Sequence, residues 1–173
     1  MAGDAPVVSA RRFRGEYGSS EVRVCVLREL SVNRQPCRTP EDAAAYWRKS
    51  IATKAEFDPM KEHLVVLAID VHRCIMAHNV VSVGTVDTCL SHAREVFRPL
   101  IVLGAVAGVV MHNHPSGSST PSEDDVAATR DLFRAGKLLK IDLLDHVVIG
   151  EAGRGKRARR PYCSLRDLGY FYP

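Results

Sequence analysis

The stretch VAGVVMHNHPSGSSTPSEDDVAATRDLF, residues 106–133, decides how the chain folds. Val106 to Met111 is a short apolar run without polar alternation, the pattern of a strand buried on both faces. It passes directly into His112-Asn113-His114. Pro115, Gly117 and Pro121 cannot continue the strand, so the chain turns there. Ser122 then stands at the head of a helix running to Leu139, with Val126 and Phe133 on one side and Thr129 between them. Leu143 to Ile149 returns as another apolar strand.

Working outward, Leu64 to Ile69 is a nearly continuous apolar run and a second strand buried on both faces. Asp70 to Arg73 supplies a turn, and Cys74 to Val83 completes a hairpin. Between this hairpin and the central strand, Asp87 to Leu103 places Leu90, Ala93, Phe97 and Leu100 at spacings of three and four. That predicts a helix, which Pro99 kinks or divides. Further back, Thr39 is placed to cap and Pro40 to open a helix over Glu41 to Lys54. Val22, Val24 and Val26 alternate with Arg23 and Cys25 in a strand over Glu21 to Leu30. Glu151 to Arg160 is a loop rich in glycine and arginine, followed by a short tail. The expected division is an N-terminal segment, 1–39, with one strand, and a main domain, 40–173. Helices and strands in this order predict an α/β fold, a three-layer sandwich whose central mixed sheet is flanked by helices.

The chain has 173 residues, 46% hydrophobic and 25% charged, the balance of a globular domain large enough to contain both a core and a site. Cys25, Cys37, Cys74, Cys89 and Cys163 are odd in number, widely spaced and form no C-x-x-C pair, which favours reduced thiols and a cytoplasmic location. The Arg11-Arg12 pair is followed by Gly15 to Glu21 rather than by an apolar core, so export is not expected. Pro99 to Met111, the longest apolar candidate, falls short of the roughly 18 to 20 residues of a membrane span, so no membrane is expected as a partner. The net charge of +4 permits nucleic-acid binding without arguing for it.

The chemistry concentrates in the opening stretch. Residues two apart in a strand project to the same side, so His112 and His114 can reach one ion, and the turn can bring Asp125 back as a third ligand. Two neutral imidazoles and one carboxylate, with a fourth position left to water, match the open arrangement of catalytic zinc. One Zn2+ per chain is the expected cofactor, and no cysteine lies near enough to make the site a closed structural one. Ser122-x-x-Asp125 is also the pattern of a helix capping box, and Ser122 can serve both roles.

The string His112-x-His114, seven residues, Ser122, two residues, Asp125 resembles the metal motif of JAMM metalloproteases, the JAB or MPN domains. HNHPSG, then PSEDD, then Leu144-Asp145-His146-Val147-Val148-Ile149-Gly150 resembles the RadC branch of that family. The likeness runs from about Pro40 to Gly169 and includes His92 to Phe97 and Tyr162 to Gly169. It implies the JAB/MPN, cytidine-deaminase-like sandwich and a zinc-dependent metallopeptidase or isopeptidase-like hydrolase acting on a peptide or protein. It also implies that Glu62 is the general base and that Ser122 stabilises the oxyanion, for which a hydroxyl is a suitable donor. Asn113 departs from the serine or threonine usual in deubiquitinating members, which weakens any transfer of ubiquitin specificity but leaves the metal site implied.

Several other readings stand beside this one. His63, His72, His78 and His92 read as surface or hydrogen-bonded residues. His146, in an apolar strand, needs a hydrogen-bond partner and reads first as structural, alternatively as a contact behind the metal site. Gly117 is expected to supply an unusual backbone angle. Arg154, Lys156, Arg157, Arg159 and Arg160 form a solvated loop by default. They are also the only feature favouring a DNA-associated accessory or repair role of the RadC type, in which binding would weaken steeply with salt. A metal-free scaffold is disfavoured by the complete ligand set. A nucleobase deaminase is excluded because the H-x-E and P-C-x-x-C pattern is absent.

Overall fold

A computed structural model describes residues 8–14, 20–26, 35–84, 92–151 and 160–171. The chain divides into two compact units, Met1–Arg34 and Gln35–Pro173. In the first, Val8–Arg14 (β1) and Ser20–Val26 (β2) pair antiparallel, with Val8 opposite Val26 and Arg14 opposite Ser20. The sequence predicts one strand here and the structure has two. The sequence of β1, VSARRFR, lacks the alternation that marks β2, and it forms a strand by pairing with its neighbour.

The second unit runs α1 (Pro40–Tyr46), β3 (Glu62–Ile69), β4 (Ile75–Gly84), α2 (Ala93–Leu103), β5 (Ala107–Asn113), α3 (Glu123–Leu139), β6 (Asp142–Ile149) and β7 (Tyr162–Ser164). Its sheet has the order β4-β3-β5-β6-β7, antiparallel throughout except for the parallel pair β5 and β6. Parallel neighbours need a crossover between them, and α3 supplies it. The mixed sheet expected from the sequence is therefore present.

Alternate residues of the central strands feed two cores. Val65, Leu67, Ile69, Val109, Met111 and Val147 pack on the side of α1 with Ala43, Ala44 and Trp47. Leu64, Val66, Val110 and Val148 pack on the other side with Phe97 and Leu100 of α2 and Leu132 of α3. Helices thus cover both faces, which is the sandwich. Residues 62–69 of β3 are all buried, so its uninterrupted apolar run is explained by a helix layer on each side. Full burial of a leucine such as Leu67 or Leu100 stabilises the fold by roughly 1.5–3 kcal/mol.

Three element boundaries differ from expectation. The first helix is α-helical only to Tyr46 and continues as one π turn, Trp47–Ile51, whose buried Trp47 and Ile51 face the core. Helix α2 begins after His92 and runs unbroken through Pro99, held by buried Val96, Phe97 and Leu100 on both sides of the proline. The expected turn containing Leu90 lies outside the described residues. Strand β7, three residues long, is too short to show a period and was legible only as a tail. No helix among the described residues is long and apolar enough to cross a membrane.

Candidate metal centre

The centre sits at one end of the sheet, on the face covered by α2 and α3. Leu64 pairs opposite His112 across β3 and β5, and opposite residues in an antiparallel pair share a face. His112 therefore points to the same side as Leu64. His114, two residues on, follows it, and its backbone N–H donates to Ile149 O at 3.2 Å, extending the run alongside β6. Glu62, two residues before Leu64, lies on that face as well.

The turn after His114 is pinned tightly. Gly117 N–H donates to His114 O at 2.9 Å, and Gly117 adopts a φ of 76°, the left-handed conformation expected of it. Ser122 caps α3 in a complete capping box: its hydroxyl accepts from Asp125 N–H at 3.1 Å, and Asp125 Oδ2 accepts from Ser122 N–H at 2.7 Å. The cap and the ligand set are one structure, because the box holds the carboxylate of Asp125 toward the histidines.

His112, His114 and Asp125 form a cluster that can hold a metal ion, their ligand atoms all lying within 4.8 Å of one another. His112 Nε2 is 3.0 Å from His114 Nε2, 3.2 Å from Asp125 Oδ1, and His114 Nε2 is 3.4 Å from Asp125 Oδ2. The donor chemistry fits a cation. His114 Nδ1 lies 2.9 Å from Ser118 O, and a carbonyl only accepts, so the ring proton of neutral His114 is on Nδ1 and its Nε2 is bare. A bare nitrogen facing a second ring nitrogen and a carboxylate needs positive charge between them. Without an ion a proton partly fills that need: burial alone would lower the pKa of His114, but the hydrogen bond and charge of Asp125 outweigh it and raise it. Burial opposes ionisation of Asp125, yet the two imidazoles beside it hold its carboxyl well below the usual carboxylate range.

Glu62 is buried, 8% exposed, and burial pushes its carboxyl above the ordinary value, with His112 and His114 pulling the other way. Asn113, between the two histidines, points away from the ion site. Its side-chain Oδ1 accepts from His63 N–H at 3.0 Å and its Nδ2 donates to Lys61 O at 3.0 Å, so one amide grips the backbone on both sides of Glu62. The hydroxyl of Ser122 lies 2.7 Å from Asp125 Oδ2 and donates to it.

Of the remaining histidines, His63 is buried with Nε2 3.0 Å from Asp58 O, His78 pairs with the Tyr46 hydroxyl at 2.8 Å, and His72 and His92 are exposed. None joins the cluster. His146 stands behind it: its Nε2 is 2.9 Å from His112 Nδ1, the contact that the second of its two sequence readings describes. Its other nitrogen, Nδ1, is 2.6 Å from the hydroxyl of Thr129, a residue sequence reasoning placed on α3 and gave no role. Burial, reinforced by His112, brings the pKa of His146 down to about 3, so the ring is neutral.

Arg154, Lys156, Arg157 and Arg159 lie outside the described residues. Arg160, the fifth cation of that loop, is ion-paired to Glu41 at 3.0 Å and donates to the Tyr162 hydroxyl at 3.2 Å. A cavity of about 490 Å³, lined by Arg38, Arg73, Leu144, Asp145 and Arg166 among others, contains none of the three ligands.

A sandwich of this topology that gathers two imidazoles and a carboxylate at the end of its central strands has the architecture of a metal-binding JAB domain. The chain belongs to the RadC-like JAB domain family, whose profile matches residues 37–170. It is 42% identical over 111 residues to a UPF0758 protein of Caldanaerobacter subterraneus subsp. tengcongensis, covering 64% of this chain and 44% of that one. It is 37% identical over 135 residues to a UPF0758 protein of Staphylococcus carnosus, covering 77% and 53%. With a UPF0758 protein of Bacillus pumilus the identity is 33% over 175 residues, covering 96% and 72%. The chain spans about half the length of the first two of these relatives.

Proposed function

We propose that this domain is a zinc-dependent hydrolase of the JAMM type that cleaves amide bonds, peptide or isopeptide, in a protein substrate. The observation that carries the reading is the convergence of three ligand atoms, two imidazole and one carboxylate, on the sheet face that also presents buried Glu62. A zinc ion held by His112, His114 and Asp125 would lower the pKa of its water to about 7 and polarise a carbonyl oxygen.

The chain's own groups do the proton work. Glu62 accepts a proton from the attacking water as its oxygen bonds to the carbonyl carbon, and returns it to the leaving nitrogen as the C–N bond breaks. Its raised pKa suits a group that must both take and give a proton. Ser122 is the proposed donor to the developing oxyanion, but its only proton is bound to Asp125 Oδ2. That role therefore requires the hydroxyl to rotate from carboxylate to substrate.

The test is Glu62→Gln, assayed with the parent against a peptide and isopeptide library with and without chelator. The variant should retain one zinc per chain by elemental analysis and lose turnover. A variant that cleaves at the parent rate would remove Glu62 from the mechanism, and a parent that carries no zinc would remove the mechanism itself.

A further inference from the structure

Behind the three ligands runs a line of hydrogen bonds in which each proton has one possible place. Thr129 Oγ1 lies 2.6 Å from Asp125 O, and two oxygens that close need a proton between them. The carbonyl has none, so the threonine hydroxyl donates. Its oxygen is then an acceptor for His146, whose Nδ1 lies 2.6 Å away and must carry hydrogen. His146 is buried, 2% exposed, with no carboxylate bonded to its ring, so it is neutral and its Nε2 is bare. His112 Nδ1, 2.9 Å from that bare nitrogen, must therefore be the protonated one. The remaining nitrogen of His112, Nε2, is left proton-free and facing the ion site.

We propose that Thr129 and His146 are positioning residues that fix His112 as the tautomer able to bind metal, by relaying the proton preference of a backbone carbonyl across two side chains. The carbonyl belongs to Asp125, which is itself the third ligand. One residue thus contributes a carboxylate to the ion directly and, through its main chain, prepares the imidazole opposite. The other imidazole, His114, takes its tautomer from Ser118 O in a single step. A partner that orients a ligating histidine and sets its tautomer commonly changes metal affinity by roughly 10–100-fold.

The inference deepens the metal reading of the same site and rests on it only for affinity, so the two are tested separately. The first measurement is the tautomer of His146 by long-range 1H–15N correlation on histidine-labelled full chain at neutral pH, without and with zinc. Hydrogen on Nδ1 is expected in both states; hydrogen on Nε2, or on both nitrogens, overturns the relay. The second is zinc affinity by competition with a chromophoric chelator. Thr129→Val, which keeps shape and removes the hydroxyl, should bind zinc at least tenfold more weakly than the parent, and Thr129→Ser should recover most of the loss. Parent affinity in a folded Thr129→Val protein overturns the proposal, and if that variant does not fold, the tautomer measurement on the parent decides. A parent that takes up no zinc while His146 keeps its Nδ1 proton sinks the hydrolase reading and leaves the relay standing.

Discussion

Asn113 shows how much of the site works through side chains that touch no ligand atom. Its amide completes the pairing of β5 with the start of β3 where the backbone ladder ends, holding Lys61 and His63 and so the base candidate between them. Asn113→Ala leaves a buried N–H without its acceptor and should cost about 1–3 kcal/mol in urea denaturation. It should lower turnover more than zinc content, because it frees Glu62 and leaves the ligands. The legible part at this scale was the local part. His112 and His114 were marked by a spacing of two, and Asp125 by its place in a helix-starting pattern. Glu62 has no local mark and was reached only through the family likeness. The partners of Asn113 are 50 and 52 residues away, a distance over which no periodicity reports. His146 carried a hint, since a histidine in an apolar strand must find a partner, but the identity of that partner depends on how α3 crosses the sheet.

Elements were readable where a long period or a cap announced them, and less so where tertiary contact set the boundary, as in the π turn after α1. The turn leading to α3 is held by contact with the end of β6. A Cβ on Gly150 would come within 2.6 Å of both Gly117 O and Ser119 N. Both atoms are backbone, so Gly150→Ala must displace residues 117–119, including the carbonyl that sets the tautomer of His114. Zinc affinity should fall at least tenfold in that variant, measured by chelator competition. Strand β7 is fastened by Asp145, whose carboxylate accepts from Ser164 Oγ at 2.7 Å and from Arg166 N–H at 3.2 Å. Burial pushes the pKa of Asp145 up to about 6, more than its hydrogen bonds from Ser164 and Arg166 pull it down. The folded state then holds this proton more tightly than the unfolded chain, so its contribution is full below about pH 4 and is lost as pH rises to about 6. The loss is on the order of 3 kcal/mol. Asp145→Asn should flatten that slope in denaturation curves taken at pH 4, 5, 6 and 7; an unchanged slope would show that Asp145 does not titrate there.

For the whole molecule, the sandwich followed from the order of elements, and the structure adds where the main unit begins. Gln35 O accepts from Ile75 N–H at 2.9 Å, and Pro36 bridges to Cys74, so residues from 35 onward are stitched to β4. We propose that a chain starting at Gln35 folds and takes up zinc like the full one; loss of its cooperative melt would show that residues 1–34 are needed. The three ligands also lie close together along the chain, from His112 to Asp125. An ion there would close a loop of only about a dozen residues, a smaller entropy loss than ligands drawn from distant elements would impose. The two hydrophobic layers pack the elements that carry these side chains, and the capping box holds the carboxylate toward the imidazoles. An ion held there should be exchangeable: cobalt-grown protein should carry cobalt on the same three side chains by elemental analysis, and protein without it would count against the site.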